Sequence, residues 1–258
     1  MQLKGAKILL TGASSGIGRA LAIVLTKKGA DLILCGRSLE RLKETSAQCQ
    51  GGNVQTFQGD LSVATDRVSL AKFVEKSFGR LDLLINNAGM VGVSPVATQE
   101  FADVETMMQT NLMAPIHLSQ LMLPFLSKTS QGTILNIGSM FGDIAYPYFA
   151  VYSATKFGLR GFSDALRREL AGQGIKVVYA APRATQTTAA KAFEELISPF
   201  DMTLDPPEKV AGFIVKGLVQ GKKTIYPPSK ERFFVLVQKL LPGLIDQETS
   251  KQMKRCDF

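Results

Sequence analysis

Short, mostly apolar segments alternate with amphipathic helical segments along most of this chain. The apolar runs predict strands at 7–11, 31–35, 54–58, 81–86, 132–137 and 176–181. Apolar residues at helical spacing predict helices at 17–28, 38–48, 64–78, 103–127 and 151–171. A strand, a helix and a further strand in this order form a right-handed crossover between parallel strands. The alternation therefore predicts an α/β fold with a doubly wound, Rossmann-like parallel sheet.

One domain accounts for the whole chain, 1–258. This length lies at the upper end of what one hydrophobic core supports, and the sequence contains no internal repeat and no low-complexity linker. In doubly wound sheets the ligand lies beyond the carboxyl ends of the strands. The motifs described below fall at such ends, so we expect one ligand site there.

The charge and the cysteine content of the chain indicate which kinds of partner it binds and in which compartment it acts. The chain has 30 Lys and Arg against 22 Asp and Glu, a net charge of +8 that suits an anionic small molecule. These residues form no dense basic run, so no nucleic-acid partner is predicted. The single histidine, His117, and the widely spaced Cys35, Cys49 and Cys256 predict no metal site and a reducing, cytoplasmic location. No apolar run has the length of a signal peptide or a membrane span.

A glycine-rich turn follows the first predicted strand and opens the first helix, with the sequence TGASSGIG at 11–18. Glycines let the backbone approach a pyrophosphate, whose charge the amides of the helix N-terminus then bind. The spacing G-x-x-x-G-x-G differs from G-x-G-x-x-G, so the turn alone is also compatible with a ligand-free loop. The candidate cofactor-binding residues here are Gly12, Ser14, Ser15, Gly16, Ile17 and Gly18.

The same turn contains G-x-S-x-G, from Gly12 to Gly16, the pattern around the nucleophile of many serine hydrolases. In those folds the nucleophile follows a later strand and needs a histidine partner. Here the turn follows the first strand, and His117 is predicted in the middle of a helix. A hydrolase is therefore the less favoured interpretation.

The end of the second predicted strand indicates which dinucleotide binds. NAD-preferring folds place an acidic residue about 20 residues after the glycines, where it binds the ribose 2′-hydroxyl. This chain has Arg37 at that strand end and no acid, and a planar guanidinium suits a 2′-phosphate. NADP(H) is therefore the predicted cofactor. Asp60 and Leu61 follow the third strand and are placed to meet the adenine, with an Asx-type turn as the alternative for Asp60.

Tyr152 and Lys156 lie four residues apart at the start of a predicted helix and therefore share one face. A tyrosine side chain has a pKa of about 10, and a nearby ammonium group lowers it by favouring the phenolate. Ser139, at the end of the preceding strand, is placed to bond the same substrate oxygen. An ordinary surface pair is the alternative, less favoured because these residues accompany a nucleotide-binding turn.

Pro115 interrupts the long predicted helix. Proline has no N–H donor, and its ring disturbs the carbonyl four residues earlier, which belongs to Asn111. We expect a kink that leaves this carbonyl free to hold a water molecule. A plain proline kink is the alternative.

In this order the motifs closely resemble those of the short-chain dehydrogenase/reductase family. The resemblance runs over about 7–187 and rests on TGASSGIG, Asn86-Asn87-Ala88-Gly89, Asn111, Ser139 and YSATK at 152–156. It implies that Tyr152 is the general acid or base, that Ser139 positions the carbonyl and that Lys156 holds the nicotinamide ribose. It also implies that Asn111 carries a relay water and that Asn87, Ala88 and Gly89 line the adenosine side. Many relatives are homodimers or homotetramers formed through the two long helices, so a homo-oligomer is expected.

The sequence departs from the family pattern after the sixth strand. Relatives usually have Pro-Gly and then a threonine near the nicotinamide amide. Here Pro182 and Thr187 keep the expected spacing and are predicted to bind the cofactor, but Arg183 replaces the glycine. We expect Arg183 to point at the pyrophosphate or at an anionic group of the substrate.

Two further segments are predicted to shape the substrate side. The segment 188–206, called the lid below, has no strand pattern and is rich in apolar residues. The C-terminal extension 226–258 contains an amphipathic helix predicted at 229–241, ending at Pro242-Gly243. This helix is compatible with covering the pocket, joining a dimer or resting on a membrane. Packing on the protein is favoured over membrane contact because the apolar stretch is short.

The combined prediction is an NADP(H)-dependent oxidoreductase that transfers a hydride between the nicotinamide and a small-molecule carbonyl or secondary alcohol. Apolar residues in the lid and beside the strand ends favour an apolar substrate, although core packing explains the same residues equally well. The alternative is a catalytically silent NADP(H)-binding regulator on the same fold. A protein that only binds nucleotide does not need Asn111, Ser139, Tyr152 and Lys156 together, which argues against the regulator.

Overall fold

The computed structural model describes residues 1–228 and 231–255, and these form a seven-stranded parallel sheet covered by helices on both faces. The strands are β1 (Lys7–Thr11), β2 (Asp31–Gly36), β3 (Val54–Gln58), β4 (Leu83–Asn86), β5 (Thr133–Ile137), β6 (Lys176–Ala180) and β7 (Thr224–Ile225). The helices are α1 (Gly16–Lys27), α2 (Leu39–Ala47), α3 (Ala64–Phe78), α4 (Phe101–Met108), α5 (Ala114–Leu126), α6 (Ala150–Glu169), α7 (Glu194–Ile197), α8 (Pro207–Val219), α9 (Glu231–Leu240) and α10 (Pro242–Met253). The predicted doubly wound α/β fold is confirmed.

The central strands are apolar along their length because helices cover both faces of a parallel sheet. On one face α1, α2 and α8 pack on residues such as Leu10 and Leu34. On the other face α3, α5 and α6 pack on residues such as Leu9, Ile33 and Leu84. All five of these side chains are fully buried. The two cores hold the strand ends in fixed positions, which the site requires.

The strand order is β3-β2-β1-β4-β5-β6-β7, so the order reverses between β1 and β4. A doubly wound sheet opens a crevice at the carboxyl ends of the two strands beside such a reversal. Asn87 ties these ends together, since its side-chain nitrogen donates to the Thr11 carbonyl at 3.0 Å and to the Gly12 carbonyl at 3.1 Å. The fold therefore places the glycine-rich turn directly beside the residues that follow β4.

The long helix predicted at 103–127 is divided in the structure. A π-helical turn, Gln109–Met113, separates α4 from α5, and the Ala114 N–H donates to the Gln109 carbonyl five residues earlier. Insertion of such a turn is a common response where a proline disturbs the hydrogen bonding of a helix. The irregularity expected at Pro115 is thus present. The water molecule expected at the Asn111 carbonyl stays a prediction.

The C-terminal half contains elements that the sequence patterns did not reveal. α8 and β7 extend the doubly wound arrangement by one further crossover. The predicted amphipathic helix is α9, which ends at Leu240 as expected before Pro242-Gly243, but a separate helix that was not predicted, α10, begins at Pro242. Proline fits the first turn of a helix, where its missing N–H would have no partner. Ser229, the predicted start of the amphipathic helix, and Cys256 lie outside the described residues.

Within residues 1–228 and 231–255, the structure has no helix that is both long enough and apolar enough to cross a bilayer.

The tight packing of α1 on the glycine-rich turn gives a stability prediction. A Cβ at Gly18 would lie 2.1 Å from the Gly12 carbonyl oxygen, so the backbone would have to move. We expect Gly18→Ala to lower the free energy of unfolding by about 1–3 kcal/mol. Gly161 lies on the exposed side of α6, where a Cβ meets no atom within 4 Å. Gly161→Ala should therefore raise that free energy by about 0.5–1 kcal/mol. Urea unfolding measures both, and equal effects would contradict the packing argument.

Candidate active site

One cavity of about 410 Å³ runs along the carboxyl ends of the strands. It brings together every predicted site residue except Asn111. Its lining includes Gly12, Ser14, Ser15, Gly16, Ile17, Gly18, Arg37, Asp60, Leu61, Asn87, Ala88, Gly89, Ser139, Tyr152, Lys156, Pro182 and Thr187. Residues far apart in the sequence therefore share one site.

The glycine-rich turn forms one wall of the cavity. Gly12 and Gly16 adopt φ values of +64° and +53°, a region that other residues rarely occupy. A Cβ on Gly12 would lie 2.7 Å from the Cα of Ala88. The N-cap residue of α1, Ser15, makes no side-chain capping hydrogen bond, and the first turn of α1 contains no acidic residue. The free N–H groups of this helix end thus suit an anionic group such as a pyrophosphate.

Arg37 and Asp60 lie at the outer end of the same wall. Arg37 is exposed and lines the cavity just after β2. One carboxylate oxygen of Asp60 accepts hydrogen bonds from the backbone N–H and the hydroxyl of Ser62, at 2.9 and 2.7 Å. Burial alone would raise the pKa of Asp60, but these hydrogen bonds and the charge of Arg37 outweigh it and lower that pKa. Asp60 therefore forms the Asx-type turn and also faces the cavity.

Ser139, Tyr152 and Lys156 converge at the inner end of the cavity. Ser139 follows β5, and its hydroxyl accepts a hydrogen bond from the Phe141 N–H at 3.1 Å. Tyr152 and Lys156 lie one turn apart in α6, with the Lys156 Nζ 5.6 Å from the centre of the Tyr152 ring. The Lys156 ammonium also donates to the Ile137 carbonyl at 3.2 Å. The end of β5 and the first turns of α6 thus fix the position of this lysine.

Burial controls the protonation of this pair. It raises the pKa of Tyr152 to about 12, and the Ser139 side chain opposes that rise. It also lowers the pKa of Lys156 to about 8. The expected lowering of the Tyr152 pKa by the lysine is therefore wrong, because burial raises this pKa instead. Removing both groups from water disfavours the phenolate and the ammonium alike.

The Asn111 side chain has a different position from the others. It is fully buried in the π-helical turn and binds both backbone polar atoms of Met90, each at 2.8 Å. Its nitrogen also donates to the Thr155 hydroxyl at 3.2 Å. The side chain therefore joins the segment after β4 to α6. Any role for Asn111 in proton transfer would use its backbone carbonyl.

Arg183 has a protein partner, which corrects the expectation that it points at the pyrophosphate or the substrate. Its guanidinium makes two hydrogen bonds to the Asp205 carboxylate, at 2.7 and 2.9 Å. Lys209 adds a third contact to the same carboxylate at 2.8 Å. The hydrogen bonds from Arg183, more than the other interactions, lower the pKa of Asp205. Arg183 also lines the cavity, but its charge is compensated within the protein.

This ion pair joins the two ends of the lid, since Arg183 lies just before the lid and Asp205 lies near its end. Thr185 and Asp205 form a parallel β-bridge, and the Asp205 N–H donates to the Ala184 carbonyl at 2.9 Å. Between these ends the lid contains a 3₁₀ helix, Thr188–Phe193, and then α7. Both ends of the lid are therefore fixed beside the cavity.

The lid, the segment after β4 and the β5–α6 segment form an apolar wall, which the sequence predicted in part. Met90, Val91, Met140, Phe141, Tyr146, Phe149, Phe193, Phe200 and Met202 line the cavity. Leu196 instead packs in the core behind the wall, and Ile197 and Leu204 line a neighbouring depression. Ile144 and Phe234 also line the cavity, although no sequence pattern had indicated them. Some of these apolar residues therefore line the pocket, and others pack in the core.

Sequence reasoning missed Tyr179, which lies beneath the Ser139 turn. Its hydroxyl accepts from the Ser139 N–H at 3.4 Å and donates to the Ser139 carbonyl at 3.3 Å. A Cβ on Gly138 or on Gly142 would come within 2.1 or 2.4 Å of this tyrosine. The ring therefore fills the space that these two glycines leave open. A tyrosine in an otherwise aliphatic strand was the only signal that could have indicated it.

A buried charge network below this tyrosine was also missed. The Arg160 guanidinium lies 4.8 Å from the centre of the Tyr179 ring and donates to the Tyr226 hydroxyl at 3.1 Å. Tyr226 in turn donates to the Asp143 carboxylate at 3.1 Å. Burial raises the pKa of Asp143, and the charge of Arg160 opposes this rise. The network connects the Ser139 turn to the start of the C-terminal extension.

The serine hydrolase interpretation fails on geometry. His117 lies in α5, where its Nδ1 accepts a hydrogen bond from Arg67 Nε at 3.0 Å. It does not line the cavity that contains Ser14. Since the sequence has one histidine, Ser14 has no imidazole partner.

The glycine-rich turn and the Ser139, Tyr152 and Lys156 cluster line one cavity at the carboxyl ends of a doubly wound sheet. The family model described as short chain dehydrogenase matches residues 6–196 of this chain. The chain therefore belongs to the short-chain dehydrogenase/reductase family.

Individual relatives are similar over most of their length. Estradiol 17-beta-dehydrogenase 11 of Macaca fascicularis is 32% identical over 243 residues, which cover 92% of this chain and 80% of that protein. Ketoacyl reductase HetN of Nostoc sp. is 31% identical over 218 residues, covering 84% of this chain and 76% of the relative. Among solved structures, a short-chain dehydrogenase from Sphingobium yanoikuyae in complex with NADPH has a TM-score of 0.79 and 27% identity, and the match covers 93% of this chain and 95% of that one.

The ion pair at the base of the lid gives a second stability prediction. Asp205→Ala should lower the free energy of unfolding by about 2–3 kcal/mol, because it leaves the largely buried Arg183 without its carboxylate. The double variant Arg183→Ala/Asp205→Ala should recover about 1 kcal/mol of that loss. Glu44→Ala, which removes an exposed partner of Arg19, is the control and should change the free energy of unfolding by less than about 0.5 kcal/mol. Strictly additive effects of the two substitutions in urea unfolding would show that the pair is not coupled.

Proposed function

We propose that this protein is an NADP(H)-dependent oxidoreductase that reduces a carbonyl, or oxidises the corresponding secondary alcohol, on an apolar small molecule. The observation that carries the proposal is the convergence of Ser139, Tyr152 and Lys156 on the cavity that the glycine-rich turn also lines. The family supports oxidoreductase chemistry, and the similar Sphingobium yanoikuyae enzyme is described as a complex with NADPH.

The residues present fit a nicotinamide dinucleotide. The uncapped N-terminus of α1 and the close backbone approach at Gly12 suit a pyrophosphate, and the exposed Arg37 suits a 2′-phosphate. Asp60 and Leu61 would bound the adenine, and Pro182 and Thr187 would contact the nicotinamide end. When bound, NADPH supplies the hydride that is added to the carbonyl carbon.

The chain's own residues would supply and stabilise the proton. With a pKa of about 12, Tyr152 holds its proton throughout the neutral range, as a general acid must. In reduction, its O–H bond would break and the proton would go to the substrate oxygen, leaving a phenolate beside the Lys156 ammonium. The Ser139 hydroxyl would hold that oxygen in place. In the oxidative direction the same groups would act in reverse.

An apolar substrate is proposed from the wall opposite the glycine-rich turn. The Phe149 ring contacts Phe141 in a tilted arrangement at 4.8 Å between centroids and Phe193 in a T-shaped one at 5.7 Å. Burial of an aliphatic or aromatic ketone against such rings releases about 25 cal/mol per Å² of apolar surface removed from water. Two similar proteins are named for estradiol and for a ketoacyl group, which supports this choice.

We further propose a homodimer or homotetramer that acts in the cytoplasm. Phe101, Met113 and Phe157 on α4, the π-helical turn and α6 are exposed apolar residues that an interface between copies would cover. Cys35 and Cys49 are free thiols, as is usual in a reducing compartment.

The principal test combines a substrate panel with removal of the proposed acid. NADPH consumption is followed with apolar and polar ketones and aldehydes, for the wild-type protein and for Tyr152→Phe. We expect turnover of apolar ketones, and a loss of about 10²–10⁴-fold in kcat for the variant because the proton donor is gone. NADPH binding should be retained. Binding of NADPH without reduction of any carbonyl would instead favour the silent regulator.

The cofactor preference is tested at Arg37. Loss of a charge-assisted contact of about 1.5–3 kcal/mol predicts that Arg37→Ala weakens NADPH binding by about ten- to a hundredfold and leaves NADH binding unchanged. Arg41 is an exposed residue on α2 that does not line the cavity, so Arg41→Ala is the matched control. Titration of both cofactors by fluorescence measures the ratio. Equal affinity of the wild-type protein for NADH and NADPH would refute the proposed preference.

A further inference from the structure

The C-terminal helices α9 and α10 carry the densest group of exposed apolar side chains in the described structure. Among residues 1–228 and 231–255, 14 large apolar side chains are exposed, and 6 of them lie within 233–244. Five of these form what we call the outer apolar face: Phe233, Leu236, Leu240, Leu241 and Leu244. Phe233 and Leu240 are 66% and 68% exposed. A contiguous apolar surface of this kind usually marks a binding surface.

The outer apolar face is not the side by which the helices pack on the protein. Val235 of α9 and Ile245 of α10 pack against Met140, Ile144 and Tyr226 beside the cavity. At about 100° per residue, Phe233, Leu236 and Leu240 lie within one sector of α9, on a side different from Val235. The packing on the protein that the sequence favoured is therefore present at Val235 and Ile245, but it leaves the other side of α9 uncovered.

The charge beside this face indicates its partner. Arg232 and Lys239 are exposed on α9 and lie seven residues apart, about two turns, so they share one edge of the helix. Neither forms a salt bridge with a residue of the described structure, although the charge of Lys239 also acts on the Asp143 carboxylate. A second copy of the chain would bring the same basic residues against this edge, and each copy has a net charge of +8. An anionic lipid surface is complementary in both respects, since it accepts apolar side chains and attracts cations.

The outer apolar face adjoins the cavity through one ring contact, since the Phe233 and Phe234 ring centroids lie 6.2 Å apart. Phe234 is 48% exposed and at the same time lines the cavity that contains Ser139 and Tyr152. It therefore lies at the rim, between the neighbouring Phe233 and the apolar wall of Phe141 and Phe149. We propose that the outer apolar face docks on an anionic lipid membrane and that an apolar substrate reaches the cavity from the bilayer past Phe234. The second half of this proposal rests on the function proposed above.

The test uses the full-length protein and vesicles of two compositions, phosphatidylcholine alone and phosphatidylcholine mixed with phosphatidylserine. We expect co-sedimentation with the mixed vesicles, weaker binding to the neutral ones and weakening by salt. Burial of two leucines contributes enough that Leu236→Ser/Leu240→Ser should weaken binding at least about tenfold. Arg232→Ser/Lys239→Ser should remove the preference for anionic vesicles. Val219→Ser, at an exposed apolar residue of α8, is the matched control and should bind like the wild-type protein.

Activity measurements separate docking from the proposed chemistry. Neither leucine lines the cavity, so the leucine variant should keep NADPH binding and its turnover of a water-soluble ketone. Its turnover of a long-chain ketone dissolved in the mixed vesicles should fall about tenfold. Vesicle binding without any ketone reduction would refute the proposed function and leave the docking surface intact.

Three results would overturn the docking proposal. The first is absence of wild-type binding to the mixed vesicles, and the second is equal binding by the leucine variant. The third is a dimer in light scattering that dissociates in the leucine variant, which would assign the face to a second copy. Circular dichroism of the variants confirms that they are folded.

Discussion

The site depends on a set of hydrogen bonds that join the ends of β1 and β4 to α6. Thr11 accepts the backbone N–H of Asn87, and Asn111 binds both backbone polar atoms of Met90 and the hydroxyl of Thr155. Asn111 is fully buried, where hydrogen bonds are strong and an unpaired polar group is costly. The segment after β4 is thereby held on both sides. This segment therefore fixes the position of the glycine-rich turn relative to α6, the helix that carries Tyr152 and Lys156.

Burial gives this site its electrostatic character, and it acts on both titratable groups at once. It raises the pKa of Tyr152 to about 12 and lowers the pKa of Lys156 to about 8. Burial thus favours the neutral phenol of the tyrosine and the neutral amine of the lysine. Burial disfavours each charge when it is alone. A phenolate formed next to the Lys156 ammonium would be attracted to it strongly, because the surroundings have a low dielectric constant. In the proposed mechanism, Lys156 would therefore stabilise the phenolate that proton transfer produces more than the neutral tyrosine.

Much of the fold was predictable from the sequence, and the reasons are local. Alternating apolar and amphipathic segments specify parallel strands with crossovers, and strand ends then bring Ser139, Tyr152 and the glycine-rich turn to one edge. The partners of Arg183 and the position of Tyr179 were not predictable, because they depend on contacts between distant segments. Asp205 lies 22 residues beyond Arg183 and across the lid. The separate helix that begins at Pro242 was missed because proline is allowed at a helix start as well as after a helix end.

The fixed ends of the lid have a consequence for how this protein can change. The ion pair and the β-bridge that end at Asp205 close the 188–206 segment into a loop whose two ends stay together whatever lies between them. Residues inside such a loop can be exchanged, added or removed without moving the strands that carry the glycine-rich turn. Under the proposed function, the range of substrates could therefore change through this loop alone, while the part of the molecule that carries the glycine-rich turn keeps its structure.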